Sequence, residues 1–354
     1  MLIRCAICVS IFYLIFSING FVSASPSYCV TDLGDCAAYS INNSGAVVGE
    51  ESIGGISVGF LYTKGNGKQY FGTGTIAFGI NDNGNVVGVV GGDMDNDPHA
   101  FFYSGSGSMQ NISLLPDGGY SSNAQAINNN GQITGWTNRH AFLCDGNSPM
   151  MNLGTLGGVT SWACDLNNQG QVVGYAQISS GAYHAFLWQN GSGMQDLGTL
   201  GGTDSRAYAI NNSGLVVGHA YTSNGGDHAF LWQNGSGMKD LGTFGGKVSW
   251  ANGINNGGLV VGTAYTSDNT VFRAFLYDGS TMIDLNSLID SSSGWTLKSA
   301  RAINDLGQIV GYGTSPSGQQ HGFLLTPVPE PFTIVLLSIG AICLFGFIRQ
   351  RSGL

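Results

Sequence analysis

Only 12 of the 354 residues are lysine or arginine, and charged residues of both signs make up just 9% of the chain. The formal net charge is −9. No basic patch is present to neutralise phosphates, which excludes nucleic acid as a partner class. Outside the terminal apolar runs cysteine and histidine do not cluster at CxxC-type spacing, so no zinc site is read. Phosphate loop and HExxH motifs are lacking. The sequence therefore assigns no catalytic residue, no cofactor and no metal. Few charges and 57 glycines could mean disorder, but Val, Leu, Phe and Trp recur at regular places and can build a core.

Both ends read as processing segments. Residues 1–24 hold one early charge, Arg4, then an apolar run through Phe21 and the small-residue stretch Val22-Ser23-Ala24. This predicts a secretory signal peptide cut between Ala24 and Ser25; an uncleaved anchor is the alternative, disfavoured by the short run. Export exposes thiols to an oxidising compartment. Four cysteines lie outside the terminal apolar runs: Cys29, Cys36, Cys144 and Cys164. They allow three pairings, and the pairs nearest in sequence, Cys29–Cys36 and Cys144–Cys164, are the expected disulfides.

What the chain has in abundance is itself. "HAFLWQNGSGM" occurs at 184–194 and again at 228–238. Relatives of "INNSGLVVG" start at Ile41, Ile80, Ile127, Leu166, Ile210, Ile254 and Ile303. The Phe of "AFLW" stands at Phe60, Phe101, Phe142, Phe186, Phe230, Phe275 and Phe323. "DLGTLGG" is clear from Asp32, Asn152, Asp196, Asp240 and Asp284, and degenerate near Tyr70 and Leu114. Seven units follow, each of four short strands. Strand a ends in Asn-Asn-Ser-Gly, a tight turn whose Gly takes positive φ. Strand b is β-branched, strand c carries "HAFLW", and strand d carries "MQDLG". A glycine interrupts every strand b, for example Gly218, which requires something to approach closely; the Phe of strand c is the expected partner.

Four antiparallel strands repeated seven times predict an all-β fold, a single seven-bladed β-propeller over residues 25–327. The phase of the repeat predicts its closure. A lone strand d opens the array at 28–34, and strands a, b and c end it, so the first strand completes the last blade and hides the edges an open array would expose.

"AINNSGLVVGHA", "HAFLW" and "DLGTLGG" together resemble the HAF-type extracellular repeat of bacteria, over about residues 28–326. Blades one, two and seven depart most, with "GFLY", "FGTGTIA" and "GFLL". The tail resembles a second family. Val328, Pro329, Glu330 and Pro331 precede an apolar segment, 332–348, and then Arg349 and Arg351, which is similar to the PEP-CTERM sorting signal. That resemblance implies an exosortase as processing partner, an inner-membrane intermediate, and final placement on the surface or in the exopolysaccharide matrix of a Gram-negative bacterium. The residues agree with a marginal transmembrane helix whose basic end stays in the cytoplasm; a plain C-terminal anchor is the alternative.

Five histidines, His99, His140, His184, His228 and His321, precede the "AF" of strand c. Strand spacing of about 4.8 Å keeps third strands of neighbouring blades too far apart to share one ion, so a hydrogen bond at the strand start is expected instead. Asp93, Asp95 and Asp97 have calcium-loop spacing, but Pro98 and Ser104 stand where an EF-hand has Gly and Glu, and a solvated loop is the better reading. The b–c and d–a loops vary and share one end of the ring, where function usually sits. At that end, four residues before the signature Ile or Leu, are Trp162, Arg206 and Trp250, suited to stack on a sugar or to plug gaps between blades. The preferred function is a non-catalytic surface or matrix protein binding glycan or protein. The alternative is a polysaccharide hydrolase or lyase using carboxylates such as Asp117 and Asp204, which would need a pair about 5–10 Å apart.

Overall fold

The computed structural model describes residues 28–91, 97–112, 121–146 and 148–328. The signal-peptide junction Ala24–Ser25, the tail from Pro329 with Arg349 and Arg351, and Asp93, Asp95 and Asp117 lie outside the described residues. Val328 is the last described residue and is exposed. Among the described residues no helix is long and apolar enough to cross a membrane.

The described chain is all-β, a propeller-like ring of four-stranded antiparallel sheets. The innermost strands are Cys36–Ile41, Thr75–Ile80, Ser122–Ile127, Gly157–Leu166, Gly201–Ile210, Gly245–Ile254 and Thr296–Ile303. Each leads through its tight turn into strand b, then c, then d, in simple meander order. The fifth and sixth sheets also share one parallel bridge, Asp227 to Val248. The seventh sheet takes its fourth strand from the other end of the chain: Tyr28–Gly34 runs antiparallel to Gln320–Pro327.

One construction repeats in every sheet. The Phe of strand c pairs in register with the glycine of strand b, as Phe230 does with Gly218 and Phe60 with Gly49. All seven Phe rings are at most 1% exposed, each centring the apolar layer between two sheets. The Phe is not, however, the nearest neighbour of the glycine. A Cβ on Gly218 would overlap the carbonyl oxygen of Arg206, and the same holds between Gly49 and Ala37 and between Gly311 and Ser299. The cause is a bulge in strand a, whose register shifts between Ala207 and Ala209 and at the equivalent place in the other six sheets. The bulge drives a carbonyl at strand b, and only glycine leaves room for it.

The asparagines of the a–b turns hold the ring together. Asn42, Asn81, Asn128, Asn167, Asn211, Asn255 and Asn304 are 3–5% exposed. Each uses its side-chain oxygen to accept backbone N–H groups of its own turn, as Asn211 does from Ser213 and Leu215. Each Nδ2 donates to the carbonyl of the corresponding Asn in the next sheet at 2.9–3.1 Å, and Asn304 returns to Asn42. A second ring runs beside it. The backbone N–H of Asn43, Asp82, Asn129, Asn168, Asn212, Asn256 and Asp305 each donates to the next side-chain oxygen in that order at 2.8–3.0 Å, again closing on Asn43. The turn motif thus has an inter-sheet role that a hairpin reading does not anticipate.

The expected disulfides are not formed, and all four cysteines are free. Cys29 sits on the outer strand of the seventh sheet and is exposed, whereas Cys36 begins the inner strand of the first and is buried. Cys144 ends strand c of the third sheet within the apolar layer, while Cys164 lines the central channel on the inner strand of the fourth. Nearness in sequence here spans a change of sheet, so the partners occupy different radii of the ring.

Three strand-c histidines hydrogen-bond through Nδ1 to the Asp of strand d. His184 meets Asp196 at 2.8 Å, His228 meets Asp240 at 2.8 Å and His321 meets Asp32 at 2.9 Å. The last of these ties the two ends of the chain. No group of three metal-ligating side chains occurs among the described residues, and Asp97 is half-buried.

Candidate functional site

The bulge that forces glycine onto strand b also aims a side chain inward. The bulged residue is Tyr39, Phe78, Gln125, Cys164, Tyr208, Asn252 or Arg301, and all seven line one central cavity of ≈ 1100 Å³. Two residues earlier on the same strands comes an upper tier, nearer the variable loops. There Trp162, Arg206, Trp250 and Ser299 line the cavity, whereas Ala37, Ile76 and Asn123 of the first three sheets do not. The cavity is therefore lopsided, with its bulk on sheets four to six. Eleven of its lining side chains are Phe, Tyr or Trp. The Asn rings lie beyond its far end, around a separate, smaller cavity.

The three residues singled out in the sequence are thus brought together, though with partners the sequence did not reveal. Trp162 stacks on Tyr175 at 5.1 Å between centroids and meets Tyr183 edge-on at 5.6 Å. Arg206 lies over the same Tyr175 ring, 4.9 Å from its centroid. Trp250 donates its indole N–H to Asp227 Oδ2 at 2.9 Å. Asp227 Oδ1 is 2.6 Å from His219 Nδ1, and His219 Nε2 is 3.0 Å from the Tyr208 hydroxyl. The carboxylate fixes the tautomer: Nδ1–H donates to Asp227, which leaves Nε2 to accept from Tyr208. Burial pushes the Tyr208 hydroxyl up to about 12 despite Arg206 beside it. Desolvation opposes ionisation of Asp227, but the bonds from His219 and Trp250 outweigh it and hold its carboxyl below the usual range.

Tyr175, His219, Asp227 and Arg301 were missed in the sequence. A signal for two of them exists. Tyr175 and His219 each follow the strand-b glycine and pair in register with Trp162 and Arg206. Paired residues of an antiparallel sheet share a face. Asp204 also lines the cavity, with one oxygen accepting the Tyr183 backbone N–H at 3.0 Å.

Asp165 is the odd residue of the lower channel. Its place on strand a is taken by Ser40, Gly79, Ala126, Ala209, Gly253 and Ala302 in the other sheets. Burial raises its carboxyl to about 7, although backbone N–H groups of Leu166 and Ile210 donate to it. The unfolded value is about 3.9. Between the two values the native state holds a proton that the unfolded chain has lost, so this group's contribution to stability falls as pH rises from about 4 to about 7. Replacing Asp165 with Ala is therefore expected to favour the variant progressively over that window in thermal melts. A gap in melting temperature that ignores pH would refute the assignment.

Comparison with known proteins adds little beyond fold. A model of the family described as "Protein of unknown function (DUF3466)" matches residues 204–322, within the last three sheets. No curated protein matches the chain. Among solved structures, a gluconolactonase of Xanthomonas campestris is similar at 11% identity and a TM-score of 0.42, covering 88% of this chain and 94% of its own. TolB of Acinetobacter baumannii is similar at 12% and 0.43, covering 85% and 66%. The Aleuria aurantia lectin is similar at 10% and 0.36, covering 84% and 97%. Likeness at this level says nothing of activity, and the ring rests on its own sheets and hydrogen bonds.

Proposed function

We propose that this chain is an exported, non-catalytic surface or matrix protein whose central cavity binds a glycan. The lopsided aromatic wall of the cavity carries the reading. Aromatic faces stack on the apolar faces of sugar rings, and nearby N–H groups read their hydroxyls. The likeness of the repeats to the HAF type and of the tail to the PEP-CTERM signal supports location outside the cell. The test is binding of the full chain to an immobilised glycan panel. Retention of a defined set of oligosaccharides is expected, and a blank panel would remove the reading.

Sorting is a separate part of the proposal. Replacing Pro329, Glu330 and Pro331 with alanines is expected to leave a full-length, membrane-retained precursor in the native host. Unaltered release and mass would sink the exosortase assignment.

One observation favours a second reading, a polysaccharide hydrolase or lyase. The chain Tyr208–His219–Asp227 is arranged as a proton relay opening on the cavity. A Tyr hydroxyl raised to about 12 stays protonated at neutral pH, however, which suits a hydrogen-bond donor better than a base. Appearance of new reducing ends from a bound glycan would decide for the enzyme.

A further inference from the structure

Resting on the reading of the cavity as a glycan site, we infer that it selects carboxylated glycans, whose acid groups are taken by Arg206 and Arg301.

Both guanidiniums line the cavity, and both are held by aromatic faces. Arg206 is 4.9 Å from the Tyr175 centroid, and Arg301 is 5.6 Å from that of Tyr312 and 5.8 Å from that of Tyr39. A guanidinium stacked through its face keeps its planar edge of N–H donors for bidentate recognition of a carboxylate. Neither arginine belongs to an ion pair among the described residues, whereas Arg273 is 3.7 Å from Asp284 and Lys68 is 2.6 Å from Glu51.

The carboxylates of the cavity make no ion pair with them, and Asp227 and Asp165 have both oxygens engaged elsewhere. Asp227 takes the N–H groups of His219 and Trp250 through separate oxygens. Asp165 takes two backbone N–H groups, and Asp204 takes one. Asp227 feels the charge of Arg206, but no protein carboxylate forms an ion pair with either cation among the described residues. The two arginines stand on non-adjacent sheets, which suits a chain with more than one acid group. Arg206 belongs to the upper tier of the fifth sheet and Arg301 to the bulge tier of the seventh, with Trp250 on the sheet between them. A sugar held at Trp250 has an arginine-bearing sheet on either side, as a chain with repeated acid groups requires. The net charge of −9 gives no long-range attraction to such a polymer, so selectivity must come from these short contacts.

Calorimetric titration of the full chain tests this with three probes: a galacturonate hexamer, the same hexamer with its carboxylates reduced to primary alcohols, and a sulfated form of the reduced hexamer. The acidic hexamer is expected to bind at least about tenfold more tightly than the reduced one, with the advantage shrinking as salt is added. Arg206→Gln and Arg301→Gln are each expected to remove most of that advantage, read within each variant as the ratio of its affinities for the acidic and the reduced hexamer. Arg301→Lys keeps the charge and loses the fork, and is expected to lie between. Equal binding of acidic and reduced hexamers would overturn the inference and leave the glycan site standing. Tightest binding of the sulfated probe would overturn the carboxylate assignment. Binding of no probe, together with a blank glycan panel, would take down both readings.

Discussion

A chain lacking residues 25–34 is expected to aggregate. Tyr28–Gly34 is the fourth strand of the seventh sheet and pairs with Gln320–Pro327 through six registered positions. Its removal bares the backbone of a strand carrying Phe323, Leu324 and Leu325, and an unpaired, largely apolar edge is a template for another chain. The loss also removes Tyr28 and Leu33, 6% and 5% exposed, each worth about 1.5–3 kcal/mol of buried apolar surface. His321 loses its Asp32 partner as well. Light scattering after gel filtration and a thermal melt read the outcome. A monomer with an unchanged melting temperature would show that the first strand does not close the ring.

The second large effect is expected at Asn211. Truncation to Ala deletes the amide that donates to the Asn255 carbonyl and the oxygen that accepts from Ser213 and Leu215. Asn255 is buried and Leu215 half-buried, and each of those lost bonds costs roughly 1–1.5 kcal/mol, while Ser213 is exposed and its bond is worth about 0.5 kcal/mol. The sum is about 2.5–3.5 kcal/mol, taken from the joint between the fifth and sixth sheets. Asn212, next in sequence, is an internal control. Its side-chain oxygen accepts one bond, from the Asn168 N–H in a part-buried setting, and Asn212→Ala is expected to cost no more than about 1–1.5 kcal/mol, one bond against three. Denaturant midpoints of the two variants make the comparison. Equal losses would mean that the inner ring is no more than a set of ordinary turns.

The contrast between Asn211 and Asn212 also marks how far the sequence could be read. Seven copies of one unit displayed the strands, the turn glycines, the Gly–Phe pairing and the unpaired first strand, because each is local or recurs at fixed spacing. The role of the asparagines recurs as faithfully, yet their partners sit in the next unit, so a reading within one hairpin stops at the turn. The glycine of strand b was read as making room for Phe. It chiefly makes room for a carbonyl displaced by a bulge, and a bulge leaves no mark in the residue pattern. Trp162, Arg206 and Trp250 were legible because they share one place in successive units. Asp227 was not, since it enters the cavity from strand c to meet His219 from strand b and Trp250 from the next sheet. The disulfide expectation failed for a related reason, that neighbours in sequence cross between sheets at those positions.

The most direct measurement of the functional account is the glycan panel repeated with the full chain carrying both Trp162→Ala and Trp250→Ala. Neither indole is needed by the apolar layers between sheets, and Asp227 keeps His219 when Trp250 is gone. The account predicts a variant with wild-type circular dichroism and cooperative melting that no longer retains the oligosaccharides bound by the parent chain. A variant that folds and binds the same set would contradict it and put the ligand elsewhere on the ring, while one that unfolds would return both indoles to a purely structural role.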